Sequence, residues 1–340
     1  MWERGGAAYL LRQAREAAMK AIVQDRYGSA DVLELREVER PVPAEGEVLV
    51  RVRASSVNAA DWHIMRGDPY FARLFLGLRA PKSRIRGMDF AGVIEAAGPG
   101  VSGLLRVGDE VFGQAEGAFA EYVRVPAHLV EHKPSNLTFE QAATLPLAGT
   151  TAWMGLKDLQ AGQKVLINGA SGGVGLLAVQ IAKARKAVVT GVCSTRNVEQ
   201  VRAVGADVVI DYRSEDFTSG PERYDLIFDL VGNRSMSSLR GSLTPDGTLV
   251  LSGGGSFSGG ALFGPYRLII QGKVLGPFAR QRLVVLEAKP SRENLTALRD
   301  LAESGQLVPV IERTYPLTDA PDAIRHVETA HARAKVVVTA

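Results

Sequence analysis

Residues 169–197 read GASGGVGLLAVQIAKARKAVVTGVCSTRN, and this stretch decides the fold class. It follows an apolar run, residues 164–168, and contains a glycine-rich turn, a segment with helical periodicity and a second apolar run. A strand, a glycine-rich turn and a helix in this order are typical of a dinucleotide-binding unit, in which N–H groups at the helix N-terminus hold the pyrophosphate. The candidate phosphate-binding residues of the turn are Ser171, Gly172, Gly173, Val174 and Gly175.

Residues 144–279 continue this pattern. Apolar runs such as DVVIDY, YDLIFDLVG and GTLVLSG are separated by helical segments. Continuous apolar strands indicate a parallel sheet that is buried on both faces, and the alternation of strands with helices indicates a doubly wound α/β domain. Such sheets bind ligands at the carboxyl ends of their strands. The candidate cofactor-binding residues at the ends of the fourth and fifth strands are therefore Val231, Gly232, Ser252 and Gly253.

The end of the second strand, GVCSTRN, predicts which dinucleotide is bound. In an NAD-binding unit an acidic residue about 20 positions past the fingerprint binds the ribose hydroxyls. Here Ser194, Thr195 and Arg196 stand in that region, and the next acid is Glu199 in the following helix. Hydroxyl groups and a guanidinium suit a 2′-phosphate, which a carboxylate would repel. NADPH is therefore the predicted cofactor, with Ser194 and Arg196 as candidate ligands of the 2′-phosphate.

The rest of the chain predicts a second, β-rich unit. Residues 19–143 contain short runs such as EVLVRVRAS and AEYVRVP, broken by Gly, Pro and Asp, which is typical of a bent, barrel-like β domain. Residues 280–340 contain one clear helix, SRENLTALRDLAESG, and end in a strand, AKVVVTA. Residues 1–18 are predicted to be a tail, because their apolar part is short and interrupted by arginine, unlike a secretory signal.

Composition narrows the function classes. A chain of 340 residues suits two domains, and no apolar run reaches the roughly 18 residues that span a bilayer. The net charge of +3 comes from cations spread along the chain, so neither a membrane nor a nucleic-acid partner is predicted. Cys193 is the single cysteine, which excludes an intramolecular disulfide and a multi-thiolate metal site. A reducing, cytoplasmic location is predicted.

Several longer motifs resemble those of a known family. They are SSVNAADWHIMRGD, GMDFAGVIEAAGPGV, LPLAGTTAW, GASGGVG, GADVVIDY and AKPSRENL. From residue 19 to residue 340 the chain resembles the medium-chain dehydrogenase/reductase superfamily, and within it the zinc-independent quinone oxidoreductase-like branch. The resemblance implies a GroES-like β-barrel catalytic domain, split in sequence around a Rossmann domain, with the active site in the cleft between them. It also implies a homodimer or a homotetramer.

The resemblance also implies that no metal is bound. The positions that hold the catalytic zinc in alcohol dehydrogenases of the superfamily correspond here to Asn58, Met88 and Ala148, which are poor zinc ligands. Without zinc to stabilise an alkoxide, an activated acceptor is favoured. A quinone or an alkene conjugated to a carbonyl accepts hydride because the charge delocalises, and the protein then needs mainly to position it and donate hydrogen bonds.

The remaining candidate residues come from the same resemblance. Asn58 is predicted to lie near the nicotinamide and to donate to a substrate oxygen, or else to cap a turn. His63 is a candidate proton donor, since its pKa lies near neutrality, or a packing residue. Asp61 is expected to orient that loop. Tyr70 and Phe278 are candidate substrate contacts, and the cofactor candidates by resemblance are Thr151, Tyr212 and Lys335.

The segment from Pro69 to Arg86 is expected to border the substrate pocket. It mixes apolar with basic side chains, so it could admit a hydrophobic, anionic substrate or form a packed helix with a solvated basic face. Three functions stay open: an NADPH-dependent reductase of quinones or enones acting on a small molecule, an enoyl-thioester reductase of lipid or polyketide synthesis, and a non-catalytic NADPH-binding protein.

Overall fold

The computed structural model of the chain describes residues 18–101, 103–252, 266–275, 279–329 and 333–340. Two sheets carry the fold, one of seven strands and one of six, and a separate antiparallel pair is formed by β1 (Ala18–Gln24) and β2 (Leu33–Glu39). Within these described residues no helix has the length and apolar character needed to cross a membrane.

The first large sheet is built on β3, a long and bent strand. Its members from this half of the chain are β3 (Glu47–Val57), β4 (Asp89–Ala97), β5 (Glu110–Gln114), β6 (Tyr122–Pro126) and β7 (Val130–His132). Val48, Val50 and Val52 are buried, as their alternation predicts. Leu49 is buried as well, because β3 pairs with both β4 and β6 and its register with β4 shifts at Leu49 and Val50.

Two α-helices interrupt the strands of this sheet, and two more lead from it to the second sheet. Between β3 and β4 lie α1 (Ala59–Arg66) and α2 (Arg73–Leu76), and after β7 come α3 (Phe139–Ala143) and α4 (Pro146–Gly155). Side chains of α3 and α4 join residues of both sheets in one apolar cluster, which includes Phe112 of β5 and Phe228 of the second sheet. The two units therefore share a continuous core.

The second sheet confirms the predicted Rossmann architecture. Its strands are β8 (Lys164–Asn168), β9 (Val188–Cys193), β10 (Val208–Asp211), β11 (Tyr224–Asp229), β12 (Leu243–Leu251) and β13 (Arg282–Val285). All neighbours are parallel, in the order β10-β9-β8-β11-β12-β13, which is the order of dinucleotide-binding folds. The connecting helices are α5 (Gly173–Ala184), α6 (Val198–Ala203), α7 (Met236–Gly241) and α8 (Tyr266–Leu275).

One predicted boundary needs correction. The sixth strand, Arg282–Val285, lies beyond residue 279, at which we predicted that the Rossmann domain ends. It is a short edge strand of four residues, and its basic first position hides the apolar pattern of a buried parallel strand. The parallel sheet therefore extends into the segment that the sequence assigned to the catalytic domain.

The end of the chain returns to the first sheet. The last elements are α9 (Arg292–Glu303), β14 (Ile311–Pro316), α10 (Ala320–Glu328) and β15 (Lys335–Thr339). The predicted helix is α9, and it is capped by Ser291, whose hydroxyl accepts from the N–H of Asn294. The final strand pairs antiparallel with β3 and parallel with β14. This pairing brings Lys335 next to the end of β3. The position of Lys335 there determines the geometry of the candidate active site.

Candidate active site

The glycine-rich turn between β8 and α5 has the form of a phosphate-binding loop. Gly172 precedes the first turn of α5, and no side chain caps that helix, so its leading N–H groups are left for a ligand. A Cβ at Gly172 would face open space, with only the Gly169 carbonyl oxygen within 4 Å, at 3.5 Å. A Cβ at Gly175 would instead collide with Gly169 and Ala170, so glycine is required where the helix meets the strand. These residues fit the pyrophosphate of a nicotinamide dinucleotide.

The end of β9 is tied to this turn by a residue that the sequence did not single out. The buried Asn197 donates through Nδ2 to the hydroxyl of Ser171 at 3.0 Å and to that of Ser194 at 3.2 Å. Ser194 is buried and Arg196 is exposed just beyond it, at the same edge of the sheet. An amide side chain in the short turn between a strand and a helix is the sequence signal that could have identified Asn197.

The neighbouring β10 brings one carboxylate to this edge. Asp211, the last residue of β10, lies opposite Cys193, and a hydrogen bond from the Thr195 side chain holds the pKa of Asp211 below its usual range. Tyr212 follows, half-exposed, with its N–H donating to the Cys193 carbonyl at 3.0 Å. The main chain of Tyr212 is thus paired with the end of β9, and its contact with the cofactor remains a prediction.

The candidates at the ends of β11 and β12 surround a buried carboxylate, that of Asp229. Oδ1 of Asp229 accepts from the N–H groups of Val231 at 3.1 Å and Gly232 at 3.0 Å, and from Nδ2 of Asn168 at 2.8 Å. The N–H of Ser252 donates to the Asp229 carbonyl at 3.1 Å. Asp229 therefore shapes the carboxyl edge on which these residues lie, while Gly253 is outside the described residues.

Lys335 joins the phosphate loop to the predicted catalytic loop. Its Cδ lies 2.6 Å from where a Cβ of Gly173 would be, so its chain packs on the first residue of α5. Its Nζ donates to Oδ1 of Asn58 at 2.6 Å and to the Val57 carbonyl at 3.2 Å. Burial lowers the pKa of the Lys335 ammonium, and the nearby carboxylates Asp89 and Asp61 oppose that shift. Lys335 thus links the glycine-rich turn to the loop at Asn58, and the roles of these residues in binding and catalysis remain predictions.

The anion opposite Lys335 is Asp89, the first residue of β4 and fully buried. Nζ of Lys335 lies 4.0 Å from Oδ2 of Asp89, which also accepts from Ser56 Oγ at 2.8 Å and Asn58 Nδ2 at 2.9 Å. Oδ1 accepts from the N–H of Leu147 at 2.9 Å. Burial raises the pKa of Asp89, while Lys335 and these hydrogen bonds oppose the rise.

These bonds bear on the predicted roles of Asn58 and Thr151. Nδ2 of Asn58 donates to Asp89 and to the Ser56 carbonyl, so donation to a substrate would require Asn58 to release one of these acceptors. Thr151 lies on α4 beside Leu147, and its hydroxyl donates to the Leu147 carbonyl at 2.7 Å. Both residues thus lie around the Asp89 network, and their contacts with cofactor and substrate remain predictions.

The environment of His63 disfavours a proton-donor role. Nδ1 lies 2.9 Å from the Asp68 carbonyl, which can only accept, so this nitrogen carries the proton and Nε2 is an acceptor in the neutral ring. Burial lowers the pKa of His63, which favours that neutral ring, and the ring stacks on Trp62 at 3.6 Å. Tyr70 is half-exposed and lies under the Arg73 guanidinium, while Phe278 is outside the described residues.

Asp61 has the environment of a titrating acid. Its Oδ2 accepts from the N–H of Asn58 at 2.7 Å, which orients the loop as expected. Burial raises its pKa to about 7, and nearby Asp89 adds to the rise, while the Asn58 hydrogen bond, Lys335 and Arg86 oppose it. Asp61 also lines a cavity beside α1, so this buried carboxyl adjoins a ligand-sized space.

The three positions that correspond to zinc ligands do not form a metal site of the usual kind. Asn58 is engaged with Asp89 and Lys335, Met88 offers a thioether, and Ala148 has no ligand atom. Across the described residues no group of three His, Cys, Asp or Glu side chains is arranged to hold a metal ion.

Two family profiles match the chain. One is described as an alcohol dehydrogenase GroES-like domain and covers residues 44–135, and the other is described as a zinc-binding dehydrogenase and covers residues 204–338. Together with the phosphate loop and the strand order, these matches define an oxidoreductase that uses a nicotinamide cofactor.

Known relatives narrow the class. The chain is 34% identical to 2-methylene-furan-3-one reductase of Solanum lycopersicum, over 94% of this chain and 79% of that protein. It is 33% identical to NADPH-dependent alkenal/one oxidoreductase of Arabidopsis thaliana, over the same shares of 94% and 79%. It is similar to the structure of the quinone oxidoreductase from Coxiella burnetii, with a TM-score of 0.82 and 30% identity. The similarity covers 95% of this chain and 99% of that one. The chain belongs to the medium-chain dehydrogenase/reductase superfamily, in its quinone oxidoreductase-like branch.

Proposed function

We propose that this protein is an NADPH-dependent reductase that transfers hydride to a quinone or an α,β-unsaturated carbonyl compound without a catalytic zinc. The observation that carries the proposal is the position of Lys335, which packs on Gly173 of the phosphate loop and bonds Asn58 of the catalytic loop. When bound, NADPH supplies the hydride. The residues of the chain hold the dinucleotide, exclude water and position the acceptor.

A zinc-independent reaction is supported by the residues around Asn58. An amide, a thioether and a methyl group stand at Asn58, Met88 and Ala148, and none supplies the anionic or imidazole donors that zinc prefers. An acceptor conjugated to a carbonyl needs no metal to take up hydride, because the developing charge spreads to oxygen. The relatives named above as reductases of a furanone, of alkenals and of quinones are consistent with such an acceptor.

The preference for NADPH is supported by the edge of the sheet near Arg196. Replacing Arg196 by aspartate is expected to weaken NADPH binding by about 10- to 100-fold, the cost of a lost bond to a charged group, and to spare NADH binding. Fluorescence titration with each dinucleotide measures this. Arg280→Asp, at an exposed position before β13, makes the same charge change far from the loop and serves as the control. Equal weakening for both dinucleotides would remove Arg196 from the 2′-phosphate site.

Catalysis is tested by a small acceptor panel. NADPH and NADH oxidation would be followed with a para-quinone, an unhindered enone, a 2-alkenal, an enoyl thioester and a simple ketone. NADPH-selective turnover of the quinone or the enone is the expected result. Turnover of the thioester alone would favour an enoyl-thioester reductase, and NADPH binding with no turnover would favour a non-catalytic binding protein.

The setting of the reaction is also a proposal. We infer a cytoplasmic homodimer or homotetramer that acts on a small molecule, with neither a nucleic-acid nor a membrane partner. The spread of the 40 basic residues along the chain and the single buried cysteine support this view. Light scattering after size exclusion would give the subunit number, and a monomer at micromolar concentration would contradict it.

A further inference from the structure

A cavity of about 170 Å³ lies between α1 and the segment that leads from α2 to β4. Its apolar wall includes Ile64 of α1, Phe75 and Leu76 of α2, and Met88. A single water needs only about 10–15 Å³ in this measure, so the space admits a small organic molecule. Asp61 also lines it, and since Asp61 accepts from the N–H of Asn58, the cavity adjoins the candidate active site.

Arg86 is the buried cation of this cavity. Arg86 lines the space although only 5% of the residue is exposed. One guanidinium N–H₂ donates to the Ser83 carbonyl, and the main-chain N–H donates to the Ile22 carbonyl at 3.0 Å, so the residue is held in place. Nε is buried and has no acceptor among the described residues. A buried cation favours an oxygen acceptor close to it, and the cavity that Arg86 lines is where a ligand can supply one.

The other charges around the cavity leave this cation only partly balanced. Lys82 and Glu116, whose charges have opposite signs, are exposed at the rim of the cavity. The buried charged groups that line it are Arg86 and Asp61. Because burial raises the pKa of Asp61 to about 7, its carboxyl is partly protonated near neutrality and offsets Arg86 incompletely. The interior therefore favours a ligand oxygen that carries, or gains, negative charge.

We propose that Arg86 binds the carbonyl oxygen of a short, apolar enone or quinone in this cavity, and so determines which acceptors are reduced. The proposal rests on the proposed function. When a hydride adds to the β-carbon of an enone, the electron pair of the C=C bond shifts and the carbonyl oxygen becomes an enolate oxyanion. A solvent proton at the α-carbon then completes the reduction, and NADPH is converted to NADP⁺. The guanidinium stabilises the oxyanion more strongly than the neutral carbonyl, which lowers the barrier.

The test measures binding separately from turnover. Cyclohexanone and methylenecyclohexane, a ketone and a hydrocarbon of the same shape, are titrated calorimetrically into wild type and Arg86→Met. We expect Arg86→Met to weaken cyclohexanone binding by about tenfold or more, the value of a bond to a charged group, and to leave methylenecyclohexane binding unchanged. Arg84→Met is the matched control, because Arg84 is exposed, pairs with Asp25 and lies outside the lining of the cavity.

Kinetics complete the test. Arg86→Met is expected to raise KM and lower kcat for 2-cyclohexenone while the dissociation constant of NADPH stays unchanged, and Arg86→Lys, which keeps the charge, is expected to recover part of the loss. Ketone affinity independent of residue 86, or no ketone binding to wild type, would overturn the proposal. Wild-type turnover with a KM that Arg86→Met leaves unchanged would refute the role of Arg86 but not the proposed function. Arg86-dependent ketone binding with no turnover of any acceptor would refute the proposed function but not the binding of a carbonyl oxygen by Arg86.

Discussion

Replacing Asp89 by alanine is expected to lower the free energy of unfolding by about 3–5 kcal/mol, the cost of breaking a buried ion pair by removing one partner. Asp89 is fully buried, and its carboxylate accepts bonds from Ser56, Asn58 and Leu147 while it faces Lys335. The variant leaves the ammonium of Lys335 buried without its anion and three donors without their acceptor. Urea unfolding followed by circular dichroism measures the loss.

A double-mutant cycle separates the ion pair from the hydrogen bonds. Lys335→Met removes the ammonium and keeps the length of the chain that packs on Gly173. In the double variant neither charge is left unpaired, so the combined loss should fall short of the sum of the single losses by about 0.5–3 kcal/mol. Additive losses would show that Asp89 acts through its hydrogen bonds and that Lys335 contributes independently.

Local patterns were sufficient to predict the dinucleotide-binding half of the fold. The turn from Gly169 to Gly175 joins a strand to a helix that are adjacent in sequence, so a few glycines and an apolar face predict both elements and their contact. The parallel sheet follows from the same kind of short-range pattern. Arg282–Val285 was missed because an edge strand of four residues has too few buried positions to show a pattern.

The centre of the site could be predicted only in part, because its contacts join distant residues. Lys335 and Asn58 are 277 positions apart, and their hydrogen bond depends on β15 pairing with β3. Neither composition nor periodicity predicts that pairing, and Lys335 was therefore ranked only by resemblance. One signal was present in the sequence: Asp89 and Lys335 each begin a strand and are followed by apolar residues, where a charge must find a buried partner.

Burial also distinguishes two side chains of the predicted catalytic loop. His63 was a candidate proton donor, because a free imidazole titrates near neutrality, or a packing residue, and Asp61 was expected to orient the loop. In the structure burial lowers the pKa of His63 and raises that of Asp61 to about 7. Desolvation disfavours the charged form of each group, so it shifts a base and an acid in opposite directions. Sequence alone does not give the depth at which either side chain lies.

Replacing Asp61 by asparagine is expected to change the free energy of unfolding, relative to wild type, increasingly in favour of the variant as the pH rises. In the folded chain the pKa of Asp61 is about 7, against an ordinary value of 3.8. Between these values the folded state holds a proton that the unfolded state has released, so wild-type stability falls as the pH increases through this range. The contribution of Asp61 to the free energy of unfolding is fully present below about pH 4, and about 4 kcal/mol of it is lost by about pH 8. An asparagine stays neutral throughout and its Oδ1 can still accept from the N–H of Asn58.

The measurement is the difference in free energy of unfolding between Asp61→Asn and wild type, from urea titrations at intervals between about pH 5 and pH 8. The difference should shift in favour of the variant over this range, because the variant lacks the Asp61 carboxyl, whose titration in the folded chain falls there. Asp246→Asn is the control: Asp246 is exposed, and its hydrogen bond to Arg280 lowers its pKa, so its difference from wild type should be constant there. A difference for Asp61→Asn that is equally constant would mean that the carboxyl is already ionised at about pH 5, and that the cavity beside Arg86 contains a permanent anion.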